Sequence, residues 1–280
     1  MHICCTKKLL DEMGIITENR LEENDLFCWS AHLITVNRRK TVVVVNDSNR
    51  FGFILYGLKA KDLKRLNELI IEGVRASLLN EKIKNEIIEQ YLQTASELVF
   101  TKTRGPKYVA RLNKACERVQ IYDDLLNSSE IIQINAGRNM NNDLVNIINI
   151  KDYEYPHIVL KKDLEELTGE QIISCEALDL IIKLDLGRYI AWRRIITPSD
   201  INFKQLHEIL QVAFDWKGHH LHEFEVYNQA ESCILNVVSE HEEIYEPRED
   251  CKILLDAETT LSDYARKGLK IVYRYDYGDN

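Results

Sequence analysis

The run Val42-Val43-Val44-Val45 constrains this chain more than any other feature. Successive side chains of a strand point to opposite faces, so a strand that is apolar at every position must be covered on both sides. It is therefore expected at the centre of a sheet. Its neighbours in sequence fit: Leu33–Val36 and Phe51–Tyr56 are strand-like, and Asn37-Arg38-Arg39-Lys40 and Asn46-Asp47-Ser48-Asn49 between them have turn chemistry, predicting an antiparallel meander. Two helical stripes follow, Leu63, Leu66, Ile70, Val74 and Leu78, then Ile83, Ile87, Tyr91 and Ala95; they are the expected cover. After a strand at Leu98–Thr101, the turn Arg104-Gly105-Pro106 leads into a third helix from Tyr108 to Val119.

Residues 1–122 thus predict one domain. From Asp123 to Asn149 the composition shifts to Asn, Ser, Ile and Leu, with Gly137 and Asn139–Asn142, and a helical stretch Lys161–Leu167 ends at Gly169. These features make 123–174 a connecting region with outlying helices. From 175 the rhythm changes. Ala177–Leu186 and Tyr189–Thr197 read as strands around the turn Gly187-Arg188, and Asn202 with Gln205 forms a capping box ahead of a stripe of Phe203, Leu206, Leu210 and Ala213. His222–Tyr227 and Leu269–Tyr277 alternate as further strands, with a helical turn at Leu261–Ala265 before the last. The fold class is α+β in two domains, 1–122 and 175–280, the first an antiparallel sheet with covering helices.

A chain of 280 residues, 45% hydrophobic, can bury two cores, and its apolar runs fall far short of the roughly 20 residues a membrane span needs. Met1-His2-Ile3-Cys4-Cys5 leads directly into Thr6-Lys7-Lys8, with no secretory pattern. A cytoplasmic location and no membrane partner are expected. Seven cysteines without a CxxC pair predict reduced thiols, and Cys4-Cys5 beside His2 is most simply a strand. The net charge of -9 argues against coating of nucleic acid or anionic lipid, though not against a local basic patch.

Such a patch is visible. Lys107, Arg111, Lys114 and Arg118 form one helical stripe, and Arg38 and Arg39 form a second basic turn, so phosphate contacts are possible against the bland account of a solvated face. The stretch from Glu231 to Thr260 is strongly acidic: a solvated insertion, a docking loop for a basic partner, or an intramolecular mate for the basic stripe of the first half. His220 and His222 share a strand face, and Asp276 or Asp279 on the last strand is the candidate third ligand of a metal site. Two histidines fixed by local geometry are too few, so no metal and no cofactor are expected, with both rings bonded to backbone or carboxylates. A Gly-x-Ser-x-Gly elbow, a phosphate loop and a Cys–His signature are all missing from the sequence.

The order strand, strand, helix, strand, short helix, strand in the second half resembles the β-grasp fold, and Pro198-Ser199-Asp200 and Thr260-Leu261-Ser262-Asp263-Tyr264 resemble ubiquitin. The end Tyr277-Gly278-Asp279-Asn280 lacks a diglycine, so a conjugated modifier is not expected. A closer likeness covers 175–280: Trp192-Arg193-Arg194, Gln205-Leu206-His207-Glu208, Trp216, His220-Leu221-His222-Glu223-Phe224 and Tyr275-Asp276-Tyr277-Gly278-Asp279 resemble the plasmid pRiA open-reading-frame-three family. Members of that family continue past the Gly-Asp pair into Trp, a charged residue and His, which this chain does not carry. The first half, with Cys5-Thr6-Lys7-Lys8-Leu9 and Ala110-Arg111-Leu112-Asn113-Lys114-Ala115, resembles an uncharacterised domain that often precedes it. The resemblance implies an accessory protein of mobile elements or defence islands. The leading expectation is a non-enzymatic interaction protein that binds protein or nucleic acid. The alternatives are a metal-dependent hydrolase or nuclease at His220 and His222, and an inhibitor or regulator of a larger complex.

Overall fold

Val42, Val43, Val44 and Val45 are all buried, and strand alternation divides them between two separate apolar clusters. Val42 and Val44 pack with Trp29, Phe53 and Leu55 on one side; Val43 and Val45 pack with Ile54, Leu112 and Met140 on the other. Fully burying such a side chain stabilises by roughly 1.5–3 kcal/mol. The computed structural model that shows this describes residues 1–17, 24–95, 97–147, 153–218, 220–239, 251–265 and 269–276. They form two units, Met1–Ser174 and Cys175–Asn280.

The first unit begins with β1 (His2–Cys5) and α1 (Lys7–Met13), then the meander β2 (Cys28–Val36), β3 (Arg39–Asn46) and β4 (Gly52–Leu58). The helices α2 (Ala60–Leu63), α3 (Leu66–Asn80) and α4 (Asn85–Thr94), strand β5 (Val99–Lys102), α5 (Pro106–Ile121) and α6 (Ile134–Asn141) follow. Two short strands, β6 (Val145–Asn146) and β7 (Tyr153–Glu154), precede α7 (Pro156–Thr168). The sheet order is β4-β3-β2-β1-β5. The meander is antiparallel, but the sheet as a whole is mixed, because β1 runs parallel to both β2 and β5. The expectation of an antiparallel sheet is corrected by the N-terminal strand, which lies between β2 and β5 and runs parallel to both.

The expected lid covers one face only. Helices α3 and α4 supply Leu66, Ile70, Val74, Ile87 and Tyr91 to the first cluster, and Gly73 lets α3 approach the ring of Phe53. The second face is covered by α5, through Leu112, Cys116 and Val119, and by α6, through Ala136 and Met140. The segment 123–174 therefore belongs to the first unit rather than joining two others. Leu160 and Leu164 of α7, and Ile172 beyond it, also complete the first cluster. Helix α7 starts at Pro156, whose missing N–H is no loss in the first turn, and ends at Gly169 with φ 67°.

In the second unit β8 (Ala177–Asp185) and β9 (Ile190–Pro198) form a hairpin, followed by α8 (Phe203–Phe214). Asn202 Oδ1 accepts from the Gln205 N–H at 2.8 Å while Gln205 Oε1 accepts from the Asn202 N–H at 3.1 Å, the reciprocal cap read from sequence. Strands β10 (His222–Tyr227), β11 (Cys233–Val238), β12 (Lys252–Leu255) and β13 (Lys270–Tyr275) complete the unit. Their sheet order is β12-β11-β10-β13, with the β8–β9 hairpin a separate sheet. Phe203, Leu206 and Leu210 pack on Phe224, Val226 and Val237. The acidic stretch is thus partly structural, since it contains β11 and β12; its most acidic part, 240–250, lies outside the described residues, as does Asp279. Among the described residues no helix is long and apolar enough to cross a membrane.

Candidate functional site

The inward faces of α8, β10 and β13 bring together side chains that are far apart in sequence. The Gln205-Leu206-His207-Glu208 turn places His207 one helical turn before Gln211, and strand alternation directs His222 and Phe224 to the same side of β10. The rings of His207 and His222 stack with centroids 3.6 Å apart and planes inclined by 11°. His222 Nε2 lies 2.9 Å from Asp256 Oδ2, both residues buried. The Tyr273 hydroxyl lies 2.7 Å from His207 Nδ1 and accepts from Gln211 Nε2 at 2.9 Å, while Gln211 Oε1 accepts from the Gly218 N–H. The Tyr273 hydroxyl and His207 Nδ1 share one hydrogen bond whose direction follows the tautomer of the ring.

Burial, with a further push from His222, takes the His207 pKa down to about 4. His222 is also pushed down by burial, against the pull of Asp256. Two neutral imidazoles can stack face to face where two cations would repel. Burial drives the Tyr273 hydroxyl up, so it stays protonated. Trp216 stacks on Tyr275 at 5.2 Å and lines, with His207, His222 and Lys204, a cavity of about 530 Å³. The cavity offers hydrogen bonding and stacking to a ligand.

His220 is placed differently from His222. Its Nδ1 lies 3.0 Å from Asp276 Oδ1, and both side chains are half exposed. His220 and Asp276 therefore form one pair and His222 and Asp256 another, instead of three ligands around one point. Among the described residues no group of three His, Cys, Asp or Glu side chains is placed to hold a metal ion. Sequence reasoning missed Asp256, Tyr273 and Gln211. His207 lay within a quoted motif, but nothing local marked it as a partner of His222.

A second cavity, of about 1470 Å³, is lined by every residue of β8 from Leu178 to Asp185 and of β13 from Lys270 to Tyr275. A strand that presented a face would contribute alternate residues, so consecutive ones mean that each strand presents its edge. These are the edges that the sheet order leaves unpaired. Leu206, Leu210 and Phe214 of α8 contribute to the lining. The outer face of the hairpin is apolar as well: Ile181, Ile190, Trp192 and Ile196 are each more than 60% exposed, with Arg194 bound to both carboxylate oxygens of Asp179 between them.

The basic residues of the first unit do not form one surface. On α5, Lys107 and Lys114 are exposed, the latter beside Glu117 at 3.4 Å, whereas Arg118 turns inward to Asp143 at 2.8 Å and Arg111 is half buried. Arg38 is exposed in the β2–β3 turn with φ 62°, and Arg39 opens β3 with its guanidinium 5.8 Å from the ring centroid of Tyr56. That turn is at the opposite end of β3 from the β3–β4 turn, which carries Arg50.

These features define an α+β protein of two units, with a hydrogen-bonded cavity and an open-edged groove in the second. The chain belongs to the family described as domain of unknown function DUF6933, which matches residues 2–159. Residues 176–280 match the family described as plasmid pRiA4b ORF-3-like protein. No curated protein matches the chain. Among solved structures, the protein of unknown function MM3350 from Methanosarcina mazei Go1 is similar at 32% identity and a TM-score of 0.28, covering 37% of this chain and 54% of that one. The chain thus spans about half the length of that relative.

Proposed function

We propose that this is a non-enzymatic interaction protein whose second unit, a β-grasp-like module held open between β8 and β13, binds an extended segment of a protein partner. The observation that carries this reading is the groove bounded by two unpaired strand edges over an apolar floor. An exposed edge presents unpaired N–H and C=O groups that template another strand, and native proteins protect such edges unless they use them. A segment added here gains main-chain hydrogen bonds from two sides and places alternate side chains on the surface formed by Leu206, Leu210 and Phe214. The plasmid-type family match over this unit supports an accessory role in a mobile-element setting. The hydrolase alternative has less support, because His220 and His222 are each engaged by a different carboxylate.

Selection of displayed decapeptides against the full chain tests the reading. Enriched peptides are expected to alternate apolar and polar residues, and their binding to slow amide exchange in β8 and β13. Failure to enrich any peptide, or protection confined to other elements, contradicts it.

A further inference from the structure

Arg50 occupies an unusual backbone position. Its φ of 65° lies in the left-handed region, which glycine or asparagine enters more easily than arginine. Its Nη1 donates to the Asn146 carbonyl at 3.0 Å, and Arg118 Nη2 donates to the Leu144 carbonyl at 3.2 Å. Two residues of chain span at most about 7 Å, so these carbonyls hold the two guanidiniums near one another. Arg111 lies two turns before Arg118 on α5 and shares its side of the helix. The three arginines come from a turn and a helix that meet at β6.

Among the described residues, the carboxylates nearby are already engaged, although Asp25 and Asp47 also act on Arg111. Asp143 is engaged by Arg118, and Asp25 and Asp47 are both engaged by Arg104. Arg50 Nε and Arg111 Nη1 are buried and have no acceptor. Buried donors of charged groups are ordinarily satisfied, because leaving one unmade forfeits its hydration without return. Burial first, and then the charges of Arg111 and Arg118, take the Arg50 pKa down to about 10. A ligand that relieves this repulsion must be anionic and must accept from more than one direction. A carboxylate brings two coplanar oxygens and one charge, whereas a phosphate monoester brings three acceptor oxygens and nearly two charges.

The geometry points to a binding site for a phosphate monoester, in which Arg50 and Arg111 donate to the phosphoryl oxygens and Arg118, held by Asp143 and the Leu144 carbonyl, is the positioning cation. Bidentate guanidinium forks suit this group better than lysines would. The exposed Lys107 and Lys114 lie outside the site. The assignment concerns the first unit and stands or falls independently of strand capture in the second.

Calorimetric titration of the full chain with inorganic phosphate at low salt is the test. Saturable binding is expected, weakened about tenfold or more in Arg50→Gln and in Arg111→Gln and unchanged in Lys114→Gln. Arg50→Lys keeps the charge but not the fork; it should also weaken binding, and it serves if Arg50→Gln does not fold. Two oligonucleotides, with and without a 5′-phosphate, identify the source of the group. Preference for the phosphorylated one supports a monoester. Equal binding to both, competed by phosphate, overturns the monoester in favour of a backbone diester. Absence of phosphate binding, or binding indifferent to Arg50 and Arg111, overturns the site.

Discussion

A central strand of the first unit and two edge strands of the second have opposite environments. In the first, β3 has a hydrogen-bonded neighbour on each side and a helix-covered apolar cluster on each face. In the second, the hairpin and the four-stranded sheet each end in an unpaired edge, and the interior around β10 buries His222, Glu223, Glu225 and Asn236. Glu225 and Glu223 are held by Arg274 at 3.0 and 3.6 Å, on the side of the sheet away from Phe224. The contrast separates a strand enclosed by packing from a unit that buries polar side chains and leaves strand edges unpaired.

The largest expected effect lies in the first unit. Trp29 is fully buried and donates from Nε1 to the Tyr91 hydroxyl at 3.0 Å, which in turn donates to the Leu26 carbonyl. Trp29→Ala should cost about 3–5 kcal/mol, read by chemical denaturation with circular dichroism. A loss of only about 0.5 kcal/mol, typical of a surface change, would remove the packing half of the comparison.

Next comes the close approach of α3 to β4. A Cβ at Gly73 would run into the Phe53 ring, itself buried against Trp29 with centroids 5.8 Å apart. Gly73→Ala should therefore destabilise by about 1–3 kcal/mol despite alanine's better helix propensity. A neutral or stabilising outcome in the same denaturation assay would mean that the helix and strand are less tightly apposed.

A smaller effect distinguishes the second unit through pH. The His207 pKa of about 4 in the folded chain lies below its ordinary 6.5, so between these values the unfolded chain holds a proton that the folded chain does not. Stability is full above pH 6.5, falls as pH drops toward 4, and gains no further loss from this group below that. His222 acts in the same direction. Thermal melts of wild type and His207→Gln across that window should show a shallower slope in the variant. Equal slopes would mean that His207 is not buried as a neutral ring.

The smallest expected effect is at the hairpin's outer face. Trp192 is 62% exposed, and Trp192→Ser should change stability by no more than about 0.5 kcal/mol. A larger loss in thermal unfolding would show that this face is already covered in the free chain.

Much of the first unit was legible because periodicity is a local signal. Four adjacent valines demand cover on both faces, and the stripes of α3 and α4 are regular. The second cover was legible as helices but not as a cover: α5 was expected, whereas α6 buries only Ala136, Gly137, Met140 and Asn141 among asparagines, so its composition reads as a polar connection with a short helix. β11 was hidden in a stretch dominated by acids. In the candidate site, His220, His222 and Asp276 stood out as residues, but that Asp276 would pair with His220 alone, and that His222 would find Asp256 in a turn 34 residues on, is set by tertiary structure. Arg50 carried no signal, since an arginine after Asn46-Asp47-Ser48-Asn49 looks like one more polar turn residue.

Amide hydrogen exchange of the free chain tests the central claim most directly. β3 is paired on both edges, whereas β8 and β13 are each paired on one. Slow exchange is therefore predicted throughout Val42–Val45, and fast exchange at alternate amides of β8 and β13, those that face the groove. Uniformly slow exchange along both β8 and β13 would show that these edges pair with each other, leaving no opening for a partner strand.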